Sequence, residues 1–355
     1  MTRVQYVVDD VTAVFEPLSL PAINIALGGE ATRERHDLAL AEIPAFQALE
    51  YQPPGRHPAY REQKAARLSV FSWNAERLKY ARPSQALLGS VLPDIALLTE
   101  VDIGMARSGN RHTVRDLAQH FDLGYVYALE FAELGLGDER ESEWHRGQRN
   151  EFGYHGNAIL SRLPLTNAFA VRLDEGAHWF IGFDAHDQRR IGFRNAVGAR
   201  TMIDEQPLWC VSAHFENRAT PDMRAAQARR LVETLNERAG FEPVVIGGDF
   251  NTSALPTGQK ALEDIFEDPS ALEPMFGVLR DAGFSWSSAN TKEPSCRTRP
   301  DGTPEPPFTK IDWFFTRGLA ASDAATLPAI DSEGHAISDH EALRVTLTIE
   351  PQKDQ

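Results

Sequence analysis

Side chains able to do chemistry recur at one kind of place in this sequence, directly after a short apolar run. Leu68-Ser-Val-Phe-Ser-Trp73 leads to Asn74, and Ile95-Ala-Leu-Leu98 leads through Thr99 to Glu100. Cys210-Val-Ser-Ala213 ends at His214, and Val244-Val-Ile-Gly-Gly248 ends at Asp249-Phe250-Asn251. Ile311 is followed by Asp312 and Trp313-Phe-Phe315, and Ser338-Asp339-His340 stands just ahead of the last apolar run. Carboxylates, carboxamides and imidazoles are the groups that bind hard metal ions, hold water and move protons. Taken singly each signal is modest, because an Asn after a strand is more often a turn former and a lone His more often structural. Asp312 is harder to set aside. A carboxylate between Ile311 and Trp313 needs a partner, and His340, at the start of the final strand beside Asp339, is the partner expected. Gly247-Gly248 lets the backbone approach closely and leaves Asp249 free to face a cleft.

Strands must carry these residues to a common place. The apolar patterning predicts them at Leu68–Trp73, Ile95–Val101, Tyr125–Glu130, Asn157–Ser161, Ala168–Leu173, Ala196–Ile203, Leu208–Phe215, Val244–Phe250, Ile311–Thr316 and Ala342–Ile349. Helices are expected at Ser84–Val91, Thr113–Phe121 and Asp222–Arg238, the last with Thr220 as N-cap and Pro221 in its first turn. Many strands with few helices point to two packed sheets rather than one doubly wound sheet. In such structures the same ends of several strands converge on one rim, where catalytic groups are commonly held.

Residues 1–66 read differently from the rest of the chain. Gln5–Phe15 carries enough Val, Tyr and Phe for a strand or two, Arg33–Ala48 has helical periodicity, and Pro53, Pro54, Gly55 and Pro58 mark an extended connection. The expectation is an N-terminal extension or flap, followed by the main domain over residues 67–350. Two long polar insertions, Gly135–Gly153 and Thr252–Thr309, have the character of functional loops, the second with a helical piece near Leu272–Ala282.

The 355 residues carry a formal charge of −15 and a pI near 5.2. That balance disfavours broad attraction to nucleic acid or anionic membrane, yet leaves room for a phosphate-bearing substrate at a cleft whose sign a bound metal reverses. Cys210, inside Leu208–Val211, is expected to be a buried small hydrophobe, and two cysteines make neither a zinc signature nor a disulfide framework. No apolar stretch approaches a membrane span and no signal peptide is evident, so a cytoplasmic monomer is expected.

The ordered set Trp73-Asn74, Thr99-Glu100-Val101, Gly156-Asn157-Ala158-Ile159-Leu160-Ser161, Ala213-His214-Phe215, Gly248-Asp249-Phe250-Asn251, Ile311-Asp312-Trp313 and Ser338-Asp339-His340 resembles the successive motifs of the endonuclease/exonuclease/phosphatase superfamily. The resemblance covers roughly residues 67–350. It implies a four-layer α/β sandwich, two mixed sheets face to face with helices outside, and divalent-metal-dependent hydrolysis of a phosphate ester.

Phosphate diesters resist attack, so a catalyst needs a Lewis acid, an activated water and donors for charge on the phosphorus oxygens. Glu100 suits Mg²⁺ or Mn²⁺, with Asn74 as a neutral ligand and Asp339 as a second carboxylate. By the resemblance, Asp249 and Asn251 orient the attacking water and the phosphate, and His214 donates to non-bridging oxygens. His340, positioned by Asp312, acts as base or electrostatic partner. Downstream of Glu100, the cluster Arg107, Arg111 and His112 is expected to bind substrate phosphate, as is Asn157. Glu143-Trp-His-Arg146-Gly-Gln-Arg149 reads as a surface loop or a substrate contact, and Arg194 and Arg218 as basic groups near the rim. A small-molecule or lipid-head-group diester is favoured over DNA or RNA, since the chain has no extended basic stripe. A phosphomonoesterase is the nearest alternative, and a non-catalytic binding protein retaining the fold the remote one.

Overall fold

The computed structural model describes residues 6–55, 67–174, 177–182, 189–257, 259–298 and 304–349. Its strands, in chain order, are β1 (Val7–Val8), β2 (Val11–Thr12), β3 (Leu49–Gln52), β4 (Arg67–Arg77), β5 (Ile95–Ile103) and β6 (Gly124–Glu133). Then come β7 (Tyr154–Ser161), β8 (Thr166–Arg172), β9 (Arg190–Gly192), β10 (Asn195–Ile203), β11 (Gln206–His214) and β12 (Val244–Asp249). The last are β13 (Cys296–Thr298), β14 (Pro304–Thr309), β15 (Asp312–Arg317), β16 (Leu319–Leu327) and β17 (Ala342–Ile349).

One sheet runs β1-β8-β10-β11-β12-β15, and the other runs β16-β17-β4-β5-β7-β6-β3-β2 with β9 added beside β6. Both are mixed: β11–β12 and β4–β5 are parallel, and their neighbours are antiparallel. Alternation along each strand decides what each face meets. Val70, Leu97, Ile159, Val197, Cys210, Val245, Phe314 and Val345 fill the space between the sheets. The opposite faces pack under helices: Phe71, Trp73 and Leu98 share a core with Leu88 and Leu117, and Val211, Ile246 and Phe315 share one with Leu231 and Phe276. This is the expected four-layer α/β sandwich. Among the described residues no helix is long and apolar enough to cross a membrane.

Helix Pro221–Ala239 starts as its sequence requires, with the Thr220 side chain accepting from the Met223 N–H and proline in the first turn. The periodic stretch from Arg33 is shorter than its pattern: the helix ends at Ala41, and Pro44 opens a separate single turn to Phe46, since proline lacks the N–H that would continue the ladder. β16 has no strand signal in the sequence, because its residues, Leu-Ala-Ala-Ser-Asp-Ala-Ala-Thr-Leu, line a partly exposed edge with no apolar alternation.

The described part of the N-terminal stretch is built into both sheets. β1 pairs with β8, and β3 pairs with β6, so residues 6–55 lengthen both sheets. Phe15, Ala22, Leu40 and Phe46 enter the same core as Phe71 and Tyr127. Fifty residues are short for a core of their own, and their apolar side chains pack against the larger domain instead. Glu50 fastens the join, accepting from the Phe15 N–H, Arg115 and the Tyr125 hydroxyl, with His112 Nε2 2.7 Å away. Pro58 lies outside the described residues.

Candidate active site

Strand register brings the first three groups together. In β11–β12 His214 stands opposite Asp249, and in β12–β15 Asp249 stands opposite Asp312. The facing sheet supplies Asn74 from β4, Glu100 from β5, and Asp339 and His340 just before β17. The crossing at β12 demands glycine: Gly248 has φ +149°, and a Cβ there would sit 1.9 Å from the Ala213 carbonyl oxygen. Glu100 owes its direction to a bulge. Pairing slips between Asn74 and Arg77 on one side and between Leu98 and Val101 on the other, and Glu100 itself has φ +54°. Bulges re-aim side chains near active sites, and a left-handed non-glycine residue costs roughly 1–3 kcal/mol that surrounding contacts must offset.

Those contacts are specific. Arg77 Nη1 donates to Glu100 Oε2 at 2.7 Å, and Asn74 Nδ2 donates to Glu100 Oε1 at 3.3 Å and to Asp249 Oδ2 at 3.1 Å. Asp249 Oδ1 accepts the Asn251 N–H at 2.9 Å, so both its oxygens are oriented. Asp312 Oδ2 lies 2.8 Å from His340 Nδ1, the pairing expected from sequence. His340 Nε2 faces Asp249 Oδ2 at 3.8 Å and Asp339 Oδ1 at 4.0 Å. Ser338 Oγ donates to the Asn74 carbonyl and Trp73 Nε1 to the His340 carbonyl, which ties β4 to the segment ahead of β17.

Charge in this cleft is unbalanced. Burial works to raise the Glu100 carboxyl, but Arg77 and neighbouring histidines hold it well below the usual range. Burial pushes Asp249 up to about 6, opposed by His340 and assisted by Asp312. Asp339 is raised by burial and by Glu100. Burial opposes charge on His340, yet Asp312, Asp339 and Asp249 together hold the imidazolium well above its usual range. Glu100 and Asp339 keep 18% and 19% of their side chains exposed, the openings through which an ion could enter. Hard oxygen donors with a surplus of negative charge fit a divalent cation of the Mg²⁺ or Mn²⁺ type. Asp249, Asp312 and His340 also bring one donor atom each within 4.8 Å. The hydrogen bond between Asp312 and His340 is one that shared metal ligation would break, so that trio fits an oriented imidazole better.

His214 is 1% exposed and is held by groups the strand-end pattern did not flag. Arg194 Nη1 lies 2.9 Å from its Nδ1 and donates to Glu130 Oε1, while Arg194 Nε donates to Glu216 Oε2. Its Nε2 lies 3.7 Å from Asp249 Oδ2 and 3.8 Å from Glu100 Oε1. Glu130, like Asp312, is a carboxylate inside an apolar strand, and that signal alone would have found it. Arg194 is an internal residue, 3% exposed, rather than a basic group on the rim. Arg218 is exposed and stacks over the Trp179 ring at 4.2 Å.

The residues after Glu100 expected to bind phosphate, Arg107, Arg111 and His112, are engaged with partners inside the protein. Arg107 is buried and donates to Asp102, Glu133 and Glu141, because the chain turns inward at this point. Arg111 donates to the carbonyls of Leu78, Lys79 and Ser108, fixing a turn. His112 caps helix Thr113–His120 through the Arg115 N–H and faces Glu50. Asn157 is wholly buried, donating to Glu130 Oε2 at 2.6 Å and to Asn195 Oδ1 at 2.9 Å, and so belongs to the support of His214 rather than to an open surface.

The comparisons with known proteins agree with this geometry. A model of the Endonuclease/Exonuclease/phosphatase family matches residues 71–340. Among solved structures, an endonuclease/exonuclease/phosphatase from Bacteroides vulgatus aligns over 80% of this chain and 99% of its own, with 16% identity and a TM-score of 0.54. One from Beutenbergia cavernae aligns over 80% and 72%, with 15% identity and a TM-score of 0.52. The human Nocturnin catalytic domain with bound sulfate anion aligns over 86% and 99%, with 17% identity and a TM-score of 0.51. A search of curated proteins found no significant match. Motif order, fold and family model converge: the chain belongs to the endonuclease/exonuclease/phosphatase family of divalent-metal-dependent hydrolases acting on phosphoester bonds.

Proposed function

We propose that the chain is a Mg²⁺- or Mn²⁺-dependent phosphodiesterase that directs in-line attack of water on a small-molecule or lipid-head-group diester. The observation that carries this reading is the Asp312–His340 bond of 2.8 Å beside Asp249, with Glu100 and Asp339 at the same cleft. Glu100, Asn74 and Asp339 would hold the metal, which supplies Lewis-acid activation of the phosphate ester when bound. Asp312 fixes the His340 ring through Nδ1, and the surrounding carboxylates keep it protonated, so its Nε2 donates to developing negative charge. That leaves Asp249, oriented by Asn74 and Asn251, to accept the proton of the attacking water. His214, locked by Arg194 and Glu130, presents Nε2 to the same region and stabilises a non-bridging oxygen.

The preference for a small diester rests on charge. The protein is acidic, and Arg77, Arg107, Arg111 and Arg194 are occupied with internal carboxylates and carbonyls. Duplex nucleic acid needs several free cations to replace its counterions. An activity panel with added Mg²⁺ or Mn²⁺ tests the reading, using bis-p-nitrophenyl phosphate, a phosphomonoester, supercoiled DNA, RNA and phospholipids. Turnover of diesters with little of the monoester or of DNA is expected. Preferential release of phosphate from the monoester, or efficient nicking of DNA at physiological salt, would overturn it.

A further inference from the structure

The insertion between β6 and β7 contains a six-residue helix, Glu139–Trp144, whose Asp138 N-cap and Glu141 satisfy each other's backbone N–H groups. Glu141 does more than close that helix. Its Oε1 forms an ion pair with Arg77 Nε at 3.0 Å, and its Oε2 accepts from Arg107 Nη1 at 3.1 Å. Arg77 is the residue whose other edge donates to Glu100 Oε2 at 2.7 Å. Arg77 is itself held in a turn of three successive left-handed residues, Glu76, Arg77 and Leu78, with φ of 39°, 74° and 53°. One guanidinium therefore spans two carboxylates, one in the cleft and one in the insertion.

We propose that Glu141 is a positioning residue for Glu100, acting through Arg77 to set the affinity of the cleft for its divalent metal. The inference rests on the reading of Glu100 as a metal ligand. Arg77 orients Glu100 but also competes with a cation for it. By drawing part of the Arg77 charge toward the insertion, Glu141 leaves Glu100 oriented and still available. With a neutral residue at 141 more of the guanidinium charge falls on Glu100 and opposes the metal. Partners behind a metal ligand are commonly worth about 10–100-fold in affinity, so a clamp of this kind lies within reach of a single side chain.

The test is Mn²⁺ binding to the full chain, followed by calorimetry or by the electron paramagnetic resonance of free Mn²⁺, without substrate. Glu141→Gln should raise the Kd about 10–100-fold. Glu133→Gln is the control, since Glu133 pairs with Arg107 and Arg190 within the same buried cluster but has no ion pair with Arg77. It should lower thermal stability and leave the Kd within about twofold. An unchanged Kd in Glu141→Gln, or equal rises in both variants, would overturn the proposal. Should Glu141→Gln fail to fold, Arg77→Lys serves, because an ammonium cannot span two carboxylates with separate edges; unchanged Mn²⁺ affinity there overturns the proposal equally. Glu100→Gln separates the two levels. Unaltered Mn²⁺ binding in that variant removes Glu100 as a ligand and the proposal with it, whereas lost binding there and an unchanged Kd in Glu141→Gln removes the proposal alone.

Discussion

Around Arg107, the carboxylates of Asp102, Glu133 and Glu141 meet the guanidinium groups of Arg107, Arg77 and Arg190. Around His340, the carboxylates of Asp249, Asp312 and Asp339 meet its imidazole, Asp249 also lies near His214, and the nearby Glu100 takes one edge of Arg77. The two regions use the same residue types and share Arg77, yet they differ in balance. In the first, each acid has a guanidinium partner and the groups are almost wholly out of solvent, which is how a buried ionic network stays tolerable. In the second, acids outnumber cations and two of them keep an opening to water. An ionic surplus of that kind is unfavourable unless a ligand removes it, which is why perturbed carboxylates mark functional sites.

The comparison breaks most sharply on activity. Chelation should abolish turnover, and Mg²⁺ or Mn²⁺ should restore it; full activity after exhaustive metal removal would dissolve the distinction. Within the cleft, His340→Ala and Asp312→Asn should each lower kcat by about 10²–10⁴-fold. The double variant should lose far less than the product, as expected of two groups acting as one. Steady-state kinetics at saturating metal read all three.

In the balanced cluster the loss should appear in stability instead. Arg107→Met leaves Asp102 without its guanidinium partner and takes one of two from Glu133 and Glu141, and should cost about 3–5 kcal/mol in denaturant unfolding. Near-normal kcat at saturating metal in the folded fraction would keep the cluster structural, and a collapse of kcat with little loss of stability would reverse the assignment.

A second balanced site predicts a pH window. Burial works to raise the Glu50 carboxyl, but His112, Tyr125 and the Phe15 N–H lower it from 4.5 to about 2. A carboxyl depressed on folding contributes stability that is fully present above 4.5 and lost as pH falls toward about 2. Glu50→Gln should therefore lose on the order of 3 kcal/mol near neutrality, with the difference from the parent shrinking through that window in acid unfolding. A difference that stays constant with pH would remove the electrostatic account.

Smaller effects sharpen the contrast from the other side. In metal-free protein, Asp339→Asn relieves like-charge repulsion and should leave unfolding stability unchanged or raise it by about 0.5–2 kcal/mol, opposite in sign to Glu133→Gln. A clear destabilisation by Asp339→Asn in chelator would show the cleft to be balanced after all. Arg111→Ala should cost about 1 kcal/mol and leave the ratio of kcat/KM between a large and a minimal diester unchanged. A selective rise in KM for the large substrate would return Arg111 to the role its position first suggested.

The sequence by itself determined where strands end and which side chains stand at those ends, because alternation and termini are local properties of the chain. It determined too that Asp312 needed a partner, since its neighbours on either side are apolar. Which cation neutralises which carboxylate was decided only by the tertiary structure. Arg107 reaches Asp102, five residues away, and Glu141, thirty-four away, in the same bond set, and nothing in a run of Arg, Gly and His distinguishes a phosphate clamp from a buried pair. Arg194 and Glu130 meet at His214 across two sheets, and residues 6–55 join both sheets through short pairings that carry no apolar alternation of their own. Side-chain reach and burial settle such choices, because a charge lowers its energy by the partner it meets in space, whatever stands beside it in the chain.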